Sequence, residues 1–326
     1  MSNLFSGISE RLRAGRNNRG KIPELLNETQ PIFPKNSNSP PPMEDSSDNT
    51  LSVYPGPGLP PLKPLWLNKA YVKHIVKGNF MTLSTQPKTI EQGEWIAHQV
   101  VEHYKLLCGF VKVILDKDEN GETVCNAKTC PRMSASDKHC FTWLNSTQEP
   151  VEISAHDYIA LVQCWISGKI DDTTIFPTDP ASVSAAYALE GLSPDQQQNP
   201  IPTDPTRAQL YSSNDWVGKG SGYPPELVNI CYIIFRLMFR IYGHLYWSHF
   251  VDPVFHLGLE KHLNSSFSHF ILTATEIDML KTEELQPMQP LIDLWAANGT
   301  FPPESKVYKY ADLQAGQRLL TTQELS

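Results

Sequence analysis

Two cysteines and two histidines carry the most distinctive chemistry in the chain. Cys125 and Cys130 share a short connection with Asn126, Lys128 and Pro131. His244 and His249 repeat the same interval at the end of the apolar run Ile234–Phe250 (IFRLMFRIYGHLYWSHF). A tight loop can turn two thiolates toward one point. Two sulfur and two imidazole donors without a carboxylate suit a closed, tetrahedral Zn²⁺.

The helical run raises a geometric objection, because positions five apart lie roughly 140° apart around an α-helix. The spacing therefore predicts that His249 sits in an altered last turn, and Asp252-Pro253 just beyond supplies a reason for the helix to end. Spacing alone leaves a second reading open. In it His244 packs in the core with hydrogen-bonded nitrogens, and Cys125 and Cys130 are incidental thiols. Cys140, His139, His256, His262 and His269 are the competing donors. Cys140 falls in an expected strand, and the last three read as surface or packed histidines. A catalytic zinc fits less well: HLYWSH has no Glu base, unlike H-E-x-x-H, and four protein ligands leave no position for water. No nucleophile elbow, P-loop, dinucleotide fingerprint or kinase signature set occurs. A zinc hydrolase is the remote alternative, and nothing argues for an enzyme.

These donors need elements to position them. Apolar residues fall on nearly every face of Ile234–Phe250, which marks a helix buried among others. Pro224-Pro225 opens that helix, proline being well tolerated in a first turn, and it runs to His249. An earlier helix covers about Glu91 to Cys108. There Trp95, Ile96, Val100, Val101, Tyr104 and Leu107–Cys108 recur at helical spacing, with Glu91, Glu94, Glu102 and Lys105 on the other face. Phe110–Val124 reads as a β-hairpin turned at Asp118–Gly121 that delivers the chain to Cys125. His139–Leu144 pairs with Val151–Ile153 around Asn145–Pro150. Ser154 then caps a helix, with Asp157 as its capping-box partner. Further helices are expected at about Pro253–Leu263, Ser265–Ile277 and Glu283–Ala297, with Asn264 and Thr282 as caps and Gly299 as a stop. A short helix is expected in Leu65–Val76.

Composition sets the boundaries. Ten of the residues from Pro31 to Pro64 are proline, and residues 1–64 read as a disordered region that cannot repay its ordering entropy. Residues 65–298 form the expected helical domain, with 179–222 as a flexible insertion poor in apolar periodicity. Residues 299–326 read as a tail, although Tyr310–Leu320 has helical character. Net charge is −8, while Arg11, Arg13, Arg16, Arg19 and Lys21 near the amino terminus face only Glu10, so the body is more acidic still. That balance argues against nucleic acid as the main partner and permits a basic protein partner. Six cysteines in 326 residues do not make a disulfide scaffold; Cys108, Cys164 and Cys231 read as small core residues. The amino terminus lacks signal-peptide character, and Arg236 and Arg240 interrupt the best candidate for a membrane span. The expectation is a soluble intracellular protein.

Several motifs then fall into a known order. CNAKTCPRMSAS (Cys125–Ser136), DDTTIFPT (Asp171–Thr178), FRIYGHLYWSHF (Phe239–Phe250) and HLNSSFSHFI (His262–Ile271), with GEWIA (Gly93–Ala97) before them and ELQPMQPLI (Glu284–Ile292) after, resemble the Mob/phocein family of kinase adaptors. The resemblance implies a mainly α domain built around a four-helix bundle, with one structural zinc on Cys125, Cys130, His244 and His249. It also implies a non-catalytic role: binding and activating NDR/LATS-type kinases through their basic amino-terminal extension. The family's acidic docking face maps to Glu94, with Glu91 and Glu102 as neighbours. Its phosphopeptide cluster maps to Arg236 and Arg240, while Leu237 replaces the middle basic residue. The fungal branch paired with polarity and morphogenesis kinases is most similar, the mitotic-exit branch is the nearest alternative, and the implied sites of action are cytoplasm, cell cortex and nucleus.

Overall fold

The structure, a computed structural model, describes residues 45–46, 63–76, 80–88, 90, 92–117, 119–177, 223–224 and 226–321. Expectations for the rest of 1–62, for 179–222 and for Glu91 fall outside the described residues. The main helices are α1 (Met81–Ser84), α2 (Gln92–Leu115), α3 (Ala155–Ile170), α4 (Glu226–Ser248), α5 (Glu260–Glu276), α6 (Gln289–Ala297), α7 (Lys306–Tyr310) and α8 (Leu313–Thr321). The fold is mainly helical, and α4 lies at its centre. Every residue from Ile233 to Tyr246 except Arg236 is buried, as the all-round apolar pattern requires.

Three helices surround α4 to complete a four-helix bundle. From α2, His103 meets Phe235 of α4 edge-on, and Tyr104 donates to Gln163 O of α3 at 3.0 Å. From α3, Tyr158 accepts a hydrogen bond from Arg240 at 3.0 Å. Along α5, Phe267 and Phe270 pack on Phe235, Phe239, Tyr242 and Tyr246. Ser154 caps α3 as expected, its Oγ accepting from Asp157 N and donating to the Asp157 carboxylate.

The hairpin expected over Phe110–Val124 is replaced by helix for half its length. The alternation in FVKVIL competes with a longer stripe of Val100, His103, Leu107, Val111 and Ile114, all buried on one face, and that stripe carries α2 on to Leu115. What remains of the hairpin is a single bridge, Lys117 to Thr123, closed by Gly121 in the left-handed region (φ 79°). The second strand pair is present as Trp143–Leu144 antiparallel to Pro150–Val151. Cys140–Phe141 pairs instead with Asp45–Ser46, so these two residues of the segment read as disordered belong to a strand.

Four more expectations differ. Leu65–Val76 holds only a 3₁₀ turn, Leu65–Leu67. Asn264 is no cap: it lies buried within α5, where its amide donates to Tyr71 O and Lys73 O and accepts from the Tyr246 hydroxyl. Lys281, not Thr282, stands before the 3₁₀ segment Thr282–Met288. Residues 299–321, read as a tail, are packed into the fold. Gly299 does stop α6 (φ 82°), but Phe301 and Val307 are then fully buried, and α8 lies against α6 so closely that a Cβ on Gly316 would sit 2.1 Å from Asp293 O. Among the described residues no helix is long and apolar enough to cross a membrane.

Candidate metal centre and docking face

The Cys125–Cys130 loop is shaped by its own polar side chains. Cys125 N–H donates to Ile114 O at the end of α2 (3.0 Å), which fixes where the loop begins. The Asn126 side chain accepts from Lys128 N and Thr129 N and donates to Thr123 O, and Cys130 N closes the turn on Asn126 O. Cys130 O then accepts from Ala155 N at the start of α3. The loop is thereby tied to two bundle helices before any metal is considered.

Helix α4 supplies the other two donors. His244 is still helical, whereas His249 leaves the helix with φ −126° and ψ 7° and leads into the wide turn Phe250–Phe255. This break turns both imidazoles to one side, with ring centroids 5.0 Å apart. Cys125 Sγ lies 3.7 Å from His244 Nε2, and Cys130 Sγ lies 3.5 Å from His249 Nε2. All four donor atoms fall within 4.8 Å of one another, and all four residues are buried. Zn–S of 2.3 Å and Zn–N near 2.0 Å at tetrahedral angles imply an S-to-N edge of about 3.5 Å. The site therefore fits a tetrahedral ion in donor type, spacing and burial.

Neighbouring groups hold the ligands in place. His244 Nδ1–H donates to Ser134 O at 2.9 Å, which leaves Nε2 to face the sulfurs. Gly243 lets the segment after the Cys loop come close, since a Cβ there would stand 2.9 Å from Ala135 Cβ. Cys125 S–H and then the two imidazoles push the Cys130 thiol far down, while the same sulfur bond and burial push Cys125 up. A divalent cation would displace the Cys125 proton and hold both sulfurs as thiolates.

The competing donors sit elsewhere. His139 pairs with Ser136 Oγ, His256 with the exposed Asp252, and His269 packs between His103 and Phe80. Cys231 is buried as expected and Cys108 partly so, but Cys164 is exposed. Sequence reasoning missed Ser134 and Gly243, which act through a backbone carbonyl and through the absence of a side chain; neither leaves a motif.

Of the acidic residues, Glu94 and Glu102 stand half-exposed along α2, two turns apart. The arginines are less accessible. Arg236 forms an ion pair with Glu284, which also accepts from the Tyr232 hydroxyl. Arg240 is 5% exposed, held by Tyr158 and by the Phe141 ring 4.7 Å from its guanidinium. Neither stands open as a phosphate donor.

Fold and site together define a helical domain whose central helix and one Cys loop share a four-donor metal cradle. The Mob1/phocein family model matches residues 72–188 and 210–288, which includes all four donors. The chain belongs to the Mob1/phocein family. It is 30% identical over 250 residues to "Maintenance of ploidy protein mob2" of Schizosaccharomyces pombe, covering 76% of this chain and 83% of that protein. It is 30% identical over 244 residues to "CBK1 kinase activator protein MOB2" of Candida albicans, covering 74% of this chain and 63% of that one. The Saccharomyces cerevisiae protein of the same name is 29% identical over 236 residues, covering 72% of this chain and 66% of its own length. The chain thus spans slightly under two thirds of these two kinase activators.

Proposed function

We propose that this chain is a non-catalytic co-activator that binds the basic amino-terminal extension of an NDR/LATS-type serine/threonine kinase. The setting we assign is cell polarity and morphogenesis, acting in the cytoplasm, at the cortex and in the nucleus. The carrying observation is the acidic face of α2, where Glu94 and Glu102 stand half-exposed on a helix braced by the bundle. Glu91 adds a third carboxylate close by in sequence. Carboxylates presented on a rigid helix fit a basic helical partner, and such complementarity sets association rate and specificity. The fungal relatives named as CBK1 kinase activators support the same reading.

One zinc on Cys125, Cys130, His244 and His249 would supply cross-linking rather than reactivity, because four protein donors complete a tetrahedral shell. A phosphopeptide scaffold built on Arg236 and Arg240 has less support, since both side chains already serve Glu284 and Tyr158. The test is retention of the full chain on the immobilised amino-terminal extension of an NDR-type kinase. Wild type is retained and released by salt, while Glu94→Lys is not retained. Absent binding, or binding indifferent to Glu94→Lys and to salt, overturns the proposal. Comparing extensions from polarity and mitotic-exit kinases assigns the branch.

A further inference from the structure

The amino end of α2 has an aromatic neighbour far away in sequence. Gly93, next to Glu94, is buried, and a Cβ there would lie 2.5, 2.9 and 3.1 Å from Cδ2, Cε2 and Cγ of Tyr223. Three ring atoms at that range place the ring against the first turn of α2, in space that only a glycine leaves open. The backbone beside Tyr223 is tied to α4, since Pro224 O accepts from Leu227 N at the start of that helix. On α2, Trp95 beside Glu94 is 8% exposed and anchors the same turn in the core. Tyr223 and Glu94 are each only partly buried. The ring thus abuts the residue that precedes Glu94, and both Glu94 and Tyr223 keep some accessible surface on a protein of net charge −8.

We propose that Glu94 and Tyr223 form a slot for one arginine side chain of the basic partner, resting on the kinase-docking reading above. The carboxylate takes the guanidinium edge, and the accessible part of the ring takes its flat face. Such a slot discriminates: a planar, weakly hydrated guanidinium stacks on an aromatic ring and pairs with a carboxylate at once, whereas a lysine ammonium does neither as well. Tyr223 is then a specificity-determining residue, and Gly93 is the position that admits it.

The probe is a synthetic peptide of an NDR-type kinase's basic amino-terminal extension, in its arginine form and with every Arg replaced by Lys. Affinities are measured against the full chain. Wild type and Tyr223→Phe are expected to prefer the arginine form roughly five- to tenfold. Tyr223→Leu keeps an apolar contact on Gly93 but is expected to lose most of that preference, leaving only the part carried by Glu94. Gly93→Ala, which displaces the ring while leaving Tyr223 in the chain, gives the same loss of preference and stands in should the Leu variant fail to fold. Retention of the full wild-type arginine preference in either variant, or an equal loss for both peptides, overturns the slot. Glu94→Lys separates the two ideas. Undiminished binding by that variant overturns the docking reading and the slot together, whereas abolished binding with the Tyr223→Leu preference intact overturns the slot alone.

Discussion

Acidification should unfold this domain through histidines that have nothing to do with metal. His103 is fully buried between α2 and α5, its ring 4.6 Å from that of His269, and neither of its nitrogens has a hydrogen-bond partner. Burial, then the neighbouring His269 and His98, hold its pKa well below the ordinary value. Burial also lowers His269 to about 4, against a hydrogen bond with the Leu83 backbone, and lowers His74 to about 4. A depressed folded pKa means that the fold binds the neutral form while the unfolded chain takes up protons below about 6.5. Stability is therefore complete above that pH, falls as pH drops through it, and levels off only below about 4. At pH 5 each of the three imidazoles costs about 2 kcal/mol, together about 6 kcal/mol, by the linkage relation. That is comparable with the whole stability of a typical domain. The assay is urea denaturation followed by circular dichroism at pH 7.5, 6 and 5, with zinc present throughout. His103→Leu places an apolar side chain among Phe235 and Phe270, and removes about a third of the loss between pH 7.5 and 5. Contributions from the metal ligands cancel in the comparison. A variant whose stability falls with pH as steeply as wild type refutes the argument.

Two further outcomes follow from the packing. The purified chain should carry one zinc by elemental analysis, and a strong chelator should lower its melting temperature by roughly ten degrees or more, since structural zinc contributes folding free energy directly. Equal melting with and without metal would remove the staple role of Cys125, Cys130, His244 and His249. At the other end of the domain, Gly316→Ala forces a methyl to within 2.1 Å of Asp293 O, a backbone atom that cannot swing aside. A loss of at least about 1–3 kcal/mol is expected from overpacking, read as a lower denaturant midpoint. An unchanged midpoint would mean that α8 does not hold to α6.

What could be read from the residues depended on whether a local pattern had one solution. The all-round apolar run fixed α4 as central, and the five-residue interval forced a broken last turn at His249 that the backbone adopts there. Ser154 and Asp157 formed the cap their spacing requires. Phe110–Leu115 had two solutions, alternation or a continued helical stripe, and burial of Leu107, Val111 and Ile114 on one face selected the stripe. The helical character of Tyr310–Leu320 was legible and α8 bears it out, but its packing was not, because its closest contact is a glycine, Gly316, against a backbone carbonyl. Tyr223 escaped for a similar reason, since its partner is the missing side chain of Gly93.

The extension of α2 changes how the two functional features relate. The helix carries Glu94 in its first turn, and near its last turn Ile114 O receives the N–H of Cys125. Twenty-four residues of α-helix span roughly 36 Å, so Glu94 and the candidate metal cradle lie near opposite ends of one rod, with Glu102 near its middle. Tyr223, just ahead of α4, packs on the start of that rod, while its finish meets the Cys loop, whose sulfurs face His244 and His249 at the end of α4. The metal therefore has no route to the partner except through the fold. Chelation should weaken kinase binding only as far as it melts the domain, and a titration of chelator that separates the two losses would show that the cradle acts on the partner directly.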